Sequence, residues 1–287
     1  MPELPEVETI RLGLIEHALG RKITRVTGSG WRLVRNNPRG MQDLREFLPG
    51  QKIRGLERRG KYLWLVFADT AHCLLVHLGM SGQVLWNRAD IEANRHERVR
   101  LYLDDGSTLC FNDQRMFGAL TISELVEGVG SRLIPVAVTH IAADPLEPAF
   151  DALAVAQRLR RSARHLKTLL LDQQVVSGIG NIYADEALHR VRVHGLRRAE
   201  KLPLKILVDV LAEAGAVMCE SIAQGGTSFD ELYVDTAGNP GYFARSLRVY
   251  GREGNPCETC DTLIQKTKVD GRSHHYCPQC QPSPRGK

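Results

Sequence analysis

The chain has 287 residues, of which 38 are Lys or Arg and 33 are Asp or Glu, giving a formal net charge of +5. This length allows two domains with real cores. A composition of 43% hydrophobic and 25% charged residues excludes global disorder and collagen-like repeats. No apolar run approaches the roughly 18 residues of a membrane helix. The acidic start MPELPEVETI also lacks the basic and apolar regions of a signal peptide, so a cytoplasmic location is expected.

Residues 1–20 have a helical pattern. Pro5 suits the first turn, Glu3, Glu6 and Glu8 lie near the positive end of the dipole, and Val7, Ile10, Leu14 and Ala18 share one side. From about residue 21 to 120 the pattern is that of strands: Tyr62–Phe67, Cys73–Leu78, Gln83–Trp86, Val99–Leu103 and Thr108–Phe111, with a hairpin turn at Asp104-Asp105-Gly106. An antiparallel sandwich or barrel follows. Residues 135–149 carry three prolines and are expected to be a linker. Helices are expected at Asp151–Arg161, Leu166–Gln173, Asn181–His189 and Leu204–Gln224. Gly225–Gly241, rich in Gly, Thr, Ser and Asp, is expected to be a mobile loop.

The chain closes on Cys257, Cys260, Cys277 and Cys280, spaced C-x2-C-x16-C-x2-C. Each CxxC aims two thiolates at one metal, and two such knuckles on a short β-hairpin complete a tetrahedral site. Soft thiolates favour zinc, with an iron–sulfur centre as the alternative. Disulfides do not suit a chain without a secretory signal. Four protein ligands make the metal structural, and the hairpin dependent on it. Cys73, Cys110 and Cys219 are expected to be buried core thiols. The expected fold is multidomain α+β: an N-terminal helix and antiparallel β-sandwich domain over 1–134, a linker over 135–149, a helical domain over 150–243 and a zinc hairpin with a tail over 244–287, whose residues 281–287 are expected to be disordered.

Charge is uneven along the chain. Residues 244–287 hold eight basic and four acidic residues, and 156–171 hold Arg158, Arg160, Arg161, Arg164 and Lys167 with no acid. Two such zones suit a polyanionic partner, and equally suit two solvated faces. At the N-terminus, removal of Met1 would leave Pro2 with a free secondary amine, a nucleophile towards a sugar aldehyde or its equivalent. Glu3 beside it could move protons, although a capped helix start is the simpler reading of these residues alone.

Together the motifs Pro2–Glu8, Gly60–Leu63, His77–Gly82, Gln114–Gly118, Leu170–Glu186, Gly238–Phe243 and Arg248–Arg252 running into the cysteines resemble the formamidopyrimidine-DNA glycosylase branch of the Fpg/Nei superfamily. The resemblance spans residues 2–280. It implies a bifunctional glycosylase and AP lyase that excises oxidised purines, chiefly 8-oxoguanine opposite cytosine and formamidopyrimidines, with β,δ-elimination. It also implies a β-sandwich, a helix–two-turn–helix domain and a zinc finger, with double-stranded DNA lying between the two halves; a monomer is the simplest expectation for an enzyme that clamps DNA within one chain.

By the same resemblance Pro2 is the Schiff-base nucleophile, Glu3 the proton donor and Glu6 a supporting residue. Lys61 and Arg272 serve elimination, with Arg272 pictured as a phosphate fork. Met80, Arg115 and Phe117 fill the gap left by a flipped nucleotide. His96, Lys167, Asn181 and Tyr242 contact the DNA backbone, and Gly225–Tyr233 closes over the flipped base. The chain departs from the family pattern at Met116, where a second arginine is common, and at Ser162-Ala163. Leu4 and the complete Met80, Arg115 and Phe117 set speak against an endonuclease VIII-like enzyme for pyrimidines. Intact Pro2, Glu3, Lys61 and Arg272 speak against a catalytically silent lesion-binding protein. A zinc-ribbon regulator would leave the Pro2-Glu3 start unexplained.

Overall fold

The structure, a computed structural model, describes residues 2–128, 132–227 and 234–284. Contacts divide the chain into two units. One comprises Met1–His140 with Gln224–Tyr242, and the other Ile141–Ala223 with Phe243–Lys287. No helix among the described residues is long and apolar enough to cross a membrane.

The first unit opens with helix α1 (Leu4–Ala18), which starts in a reciprocal capping box. The Glu3 carboxylate accepts from the backbone N–H of Glu6, and the Glu6 carboxylate accepts from that of Glu3. Then come β1 (Ile23–Gly28), a short helix α2 (Met41–Phe47), β2 (Ile53–Arg59), β3 (Tyr62–Phe67), β4 (His72–His77), β5 (Gly82–Asn87), β6 (Glu97–Leu103), β7 (Thr108–Asp113), β8 (Ala119–Glu127) and β9 (Leu133–Pro135). They form two antiparallel sheets, ordered β1-β6-β7-β5 and β2-β3-β4-β8-β9. Leu63, Leu65, Leu74 and Val76 of one sheet join Val84, Val99, Leu101, Leu109 and Phe111 of the other in a single core, which Ile10 and Leu14 of α1 enter. The strands expected from 62 to 111 are therefore present. Helix α2 departs from the all-strand expectation: Met41, Leu44 and Phe47 recur at helical spacing and pack on the core with Leu44 fully buried, a pattern only two turns long inside a strand-rich region. The region expected to be a linker holds the end of β9 and a 3₁₀ turn at Val136–Val138. From Ile141 it belongs to the second unit, where Asp144 and Glu147 are buried.

The second unit contains α3 (Ala152–Arg160), capped by the Asp151 carboxylate on Ala154 N–H, α4 (Leu166–Leu170), α5 (Asn181–Arg190) and α6 (Leu204–Ala223). It ends in an antiparallel hairpin of β10 (Gln265–Val269) and β11 (Arg272–Tyr276). Gln173 ties together the double turn between α4 and α5. Its amide donates to the carbonyls of Leu171 and Ile179, and its oxygen accepts from Gly178 N–H. Cys73 and Cys110 are buried as expected, but Cys219 on α6 is exposed, because it lies off the helix face that carries Val210, Leu211, Ala214 and Met218 into the core.

Candidate active site and metal centre

In the first unit Pro2 is buried at the head of α1 and, with Glu6, Leu78 and Gly82, lines a cavity of about 10 Å³. Glu3 is 3% and Glu6 8% exposed. Glu6 is shared between two segments. Its Oε2 accepts from Glu3 N–H at 2.8 Å and its Oε1 from Thr227 N–H at 2.9 Å. The carboxylate thus joins the backbone beside Pro2 to the start of the segment expected to close over a base, of which residues 228–233 lie outside the described residues. The chain just past that segment is held as well. Thr236 is buried against Gly13 of α1, and its carbonyl accepts from Trp86 N–H at 2.8 Å.

Lys61 lies in the tight turn between β2 and β3, beside Gly60 at a φ of +53°. Arg58 braces this turn through the Gly60 carbonyl at 3.2 Å and an ion pair to Glu8 at 2.8 Å. Burial alone would raise the Glu8 pKa, but the guanidinium groups of Arg11 and Arg58 hold it below the usual range. Across the strand pair Tyr62 packs on His77, with ring centroids 4.6 Å apart. Burial, together with the charges of Lys61 and Arg35, pushes His77 down to about 4, so the imidazole is neutral at pH 7. In the sequence His77 belongs to the His77–Gly82 motif with no role of its own; the signal there is a titratable residue closing the apolar run Cys73–Val76.

Met80, Arg115 and Phe117 are brought together on neighbouring loops and are all exposed. Gly79 allows this, since a Cβ there would lie 2.4 Å from the Phe117 carbonyl carbon. Met116 stands between Arg115 and Phe117 at a φ of +57°, in the left-handed region. His96 lies before β6, where its ring nitrogen accepts from Arg95 Nε. Tyr242 is 58% exposed at the end of this unit.

In the second unit Arg272 is exposed at the start of β11. The next residue is clamped from both sides: Asn181 Nδ2 donates to Ser273 Oγ at 2.9 Å, and Lys167 Nζ donates to the Ser273 carbonyl. Asn181 begins α5 after Gly180, with no side-chain cap on the helix.

Lys167 requires a correction. It is fully buried, and its ammonium group is 2.6 Å from the equally buried Asp185, so it does not present a charge to a DNA phosphate. Asp185 also accepts from His274 Nδ1 at 2.6 Å and from His275 N–H at 2.9 Å. Gly195 N–H donates to His274 Nε2, which fixes the proton on Nδ1. Burial opposes ionisation of Asp185, yet the two histidines and Lys167 overcome it and hold the pKa down to about 2. On the other side of α5 the buried Glu186 accepts from the backbone N–H groups of Arg248, Val249 and Tyr250. Its burial still raises the pKa above the ordinary value.

The sulfurs of Cys257, Cys260, Cys277 and Cys280 lie within 4.8 Å of one another. A tetrahedral zinc with sulfurs at about 2.3 Å needs S···S edges of about 3.8 Å. Cys260 lies 3.4 Å from Cys277 and 3.5 Å from Cys280, so the four thiolates fit the ion. Cys280 N–H points at Cys277 Sγ as a knuckle requires. This is a closed, structural zinc site.

Comparison with known proteins accounts for nearly the whole chain. The description of the formamidopyrimidine-DNA glycosylase N-terminal domain matches residues 1–120, that of its H2TH domain residues 141–231, and that of the zinc finger found in FPG and IleRS residues 254–282. A β-sandwich whose first helix follows Pro2 and Glu3, a helix–two-turn–helix unit and a zinc hairpin in one chain define a DNA-repair glycosylase. The chain is 51% identical over 285 residues to the formamidopyrimidine-DNA glycosylase of Mycobacterium avium, covering 99% of this chain and 100% of that protein. It is 50% identical to that of Mycolicibacterium smegmatis, with 99% of both chains covered. Among solved structures, the complex of Lactococcus lactis Fpg with abasic-site DNA superposes with a TM-score of 0.85 at 30% identity, covering 98% of this chain and 100% of that one. MutM in complex with carbocyclic 8-oxo-G DNA gives 0.85 at 31%, with the same coverage. The chain belongs to the formamidopyrimidine-DNA glycosylase family.

Proposed function

We propose that this glycosylase removes oxidised purines, chiefly 8-oxoguanine opposite cytosine and formamidopyrimidines, from double-stranded DNA in the cytoplasm, and then cleaves the strand as an AP lyase. The observation that supports this most is the position of Pro2, buried at the head of α1 beside the reciprocal Glu3–Glu6 box and lining a cavity. With Met1 removed, the Pro2 nitrogen attacks C1′ of the flipped nucleotide. The bond from C1′ to the base breaks, and the base leaves with a proton. Glu3 protonates the sugar ring oxygen as the ring opens to an iminium on Pro2. Loss of a C2′ proton then expels the 3′ phosphate, a second elimination expels the 5′ phosphate, and water releases Pro2. Lys61 and Arg272 hold the departing phosphates, Arg272 as a two-pronged donor. Met80, Arg115 and Phe117 fill the emptied stack, with Arg115 reading the unpaired cytosine. His96, Asn181 and Tyr242 bind the backbone.

The test is borohydride trapping on a duplex with 8-oxoguanine opposite cytosine. The protein with a free Pro2 is expected to form a covalent adduct, and the protein retaining Met1 is not. Equal trapping of both would exclude Pro2 as the nucleophile.

A further inference from the structure

The exposed trio Met80, Arg115 and Phe117 sits on two separate loops, so something must hold the loops in register. One buried carboxylate does so. Asp113, the last residue of β7, is fully buried. Its Oδ1 accepts from the Ser81 hydroxyl at 2.6 Å, and its Oδ2 accepts from Gly118 N–H at 2.8 Å. The Ser81 oxygen in turn accepts from Arg115 N–H at 3.0 Å. Ser81 is itself buried and directly follows Met80. The carboxylate therefore reaches one loop through the hydroxyl and the other through an amide, and the hydroxyl closes the ring onto the Arg115 backbone. Outside this ring Arg35 Nη1 donates to the Gly118 carbonyl at 2.7 Å. Between its two attachment points the second loop carries Met116 in a conformation disfavoured for its side chain, which needs just such restraint on both sides.

We propose that Asp113, acting through Ser81, is the positioning residue that presents Met80, Arg115 and Phe117 to the duplex as one rigid unit, and so sets how strictly the base opposite the lesion is read. This rests on the reading of Arg115 as the group that recognises the opposite cytosine. Neither Asp113 nor Ser81 touches DNA in this role. Without the bridge the Arg115 backbone loses the Ser81 acceptor on the neighbouring loop, and a displacement of about 1 Å at a recognition group costs up to roughly a hundredfold.

The experiment compares single-turnover excision of 8-oxoguanine opposite cytosine and opposite adenine by the full-length zinc-loaded protein, its Ser81→Ala and Asp113→Asn variants, and Arg115→Ala. A variant that merely folds less well loses active molecules equally for both duplexes and keeps the ratio. Loss of positioning is expected to lower the cytosine-to-adenine ratio about tenfold in Ser81→Ala and in Asp113→Asn. Should Asp113→Asn not fold, Ser81→Ala carries the test alone. A ratio that collapses in Arg115→Ala but stays at the wild-type value in Ser81→Ala overturns the positioning role. A ratio unchanged in Arg115→Ala overturns the reading of Arg115 itself, and the proposal with it.

Discussion

Replacing Lys167 by methionine separates a structural cation from a DNA-binding one. The ammonium lies in a site with no exposure, against a carboxylate with none, and removing one partner of such a pair costs about 3–5 kcal/mol. Asp185 would keep the His274 Nδ1–H and His275 N–H donors, which places the expected loss near the lower end, about 3 kcal/mol. At about 2–4 °C per kcal/mol for a chain of this size, Tm should fall by roughly 6–12 °C. The pH dependence has a definite sign. Asp185 is held at about 2 against an ordinary 3.8, so its contribution is complete above the unfolded carboxylate range and is lost as pH falls through the folded value. Without Lys167 the folded pKa rises, and acid unfolding should begin at higher pH. DNA binding should weaken with salt at an unchanged slope, because no phosphate contact is removed. A phosphate contact would instead lower the slope by about 0.9. Melting curves by circular dichroism and binding by fluorescence anisotropy across a salt series measure both. A Tm within about 1 °C of wild type with a slope reduced by about one would refute the assignment.

Three other perturbations probe the remaining supports. Glu6→Gln leaves one oxygen to serve the N–H groups of both Glu3 and Thr227, a mismatch of about 1–3 kcal/mol, so excision of 8-oxoguanine in single turnover should slow by about tenfold or more; a full wild-type rate would show that the shared carboxylate is dispensable. Gly13→Ala places a methyl group 2.2 Å from Thr236 Oγ1 and should destabilise the protein by about 1–3 kcal/mol, with partial recovery of Tm in the double variant with Thr236→Ala; no recovery would mean that the clash lies elsewhere. Chelation of the zinc should unfold the hairpin and abolish DNA binding, since the ion holds the segment carrying Arg272. Undiminished binding after metal analysis confirms its loss would contradict that dependence.

What could be read from the sequence was what is local. The four cysteines are legible because a knuckle is a three-residue spacing and their side chains have few other uses. Tyr62–Phe67 is legible because four of its six residues are aromatic or β-branched and the other two are leucines. Strands β1 (Ile-Thr-Arg-Val-Thr-Gly) and β2 (Ile-Arg-Gly-Leu-Glu-Arg-Arg) were not named as elements, because polar residues interrupt them and cross-strand pairing, not composition, sets their limits. Asp113 was invisible for a related reason. Its partner Ser81 lies 32 residues away, and nothing in either residue announces the other. The departure at Met116 was visible, but the positive φ it must adopt was not.

The same argument changes how the basic stretch from 156 to 171 is understood. Counted along the chain it contains five cations and no acid, which suits a polyanion-facing surface and a solvated face equally. In the fold, acids from later residues arrive beside it. Lys167 is neutralised by Asp185, 18 residues on, and Arg164 pairs with Asp172 at 2.8 Å. Arg158 donates to the Gln174 carbonyl. Arg160 and Arg161 stay exposed and make no ion pair among the described residues. A charge run read in one dimension therefore overstates the field a nucleic acid would meet, because helices 18 residues apart in sequence can be neighbours in space. It also explains why a buried cation can matter for DNA binding without touching DNA. Lys167 holds the Ser273 carbonyl next to Arg272, so its loss is expected to act on the stability of the hairpin that carries Arg272 and not by removing a phosphate contact of its own.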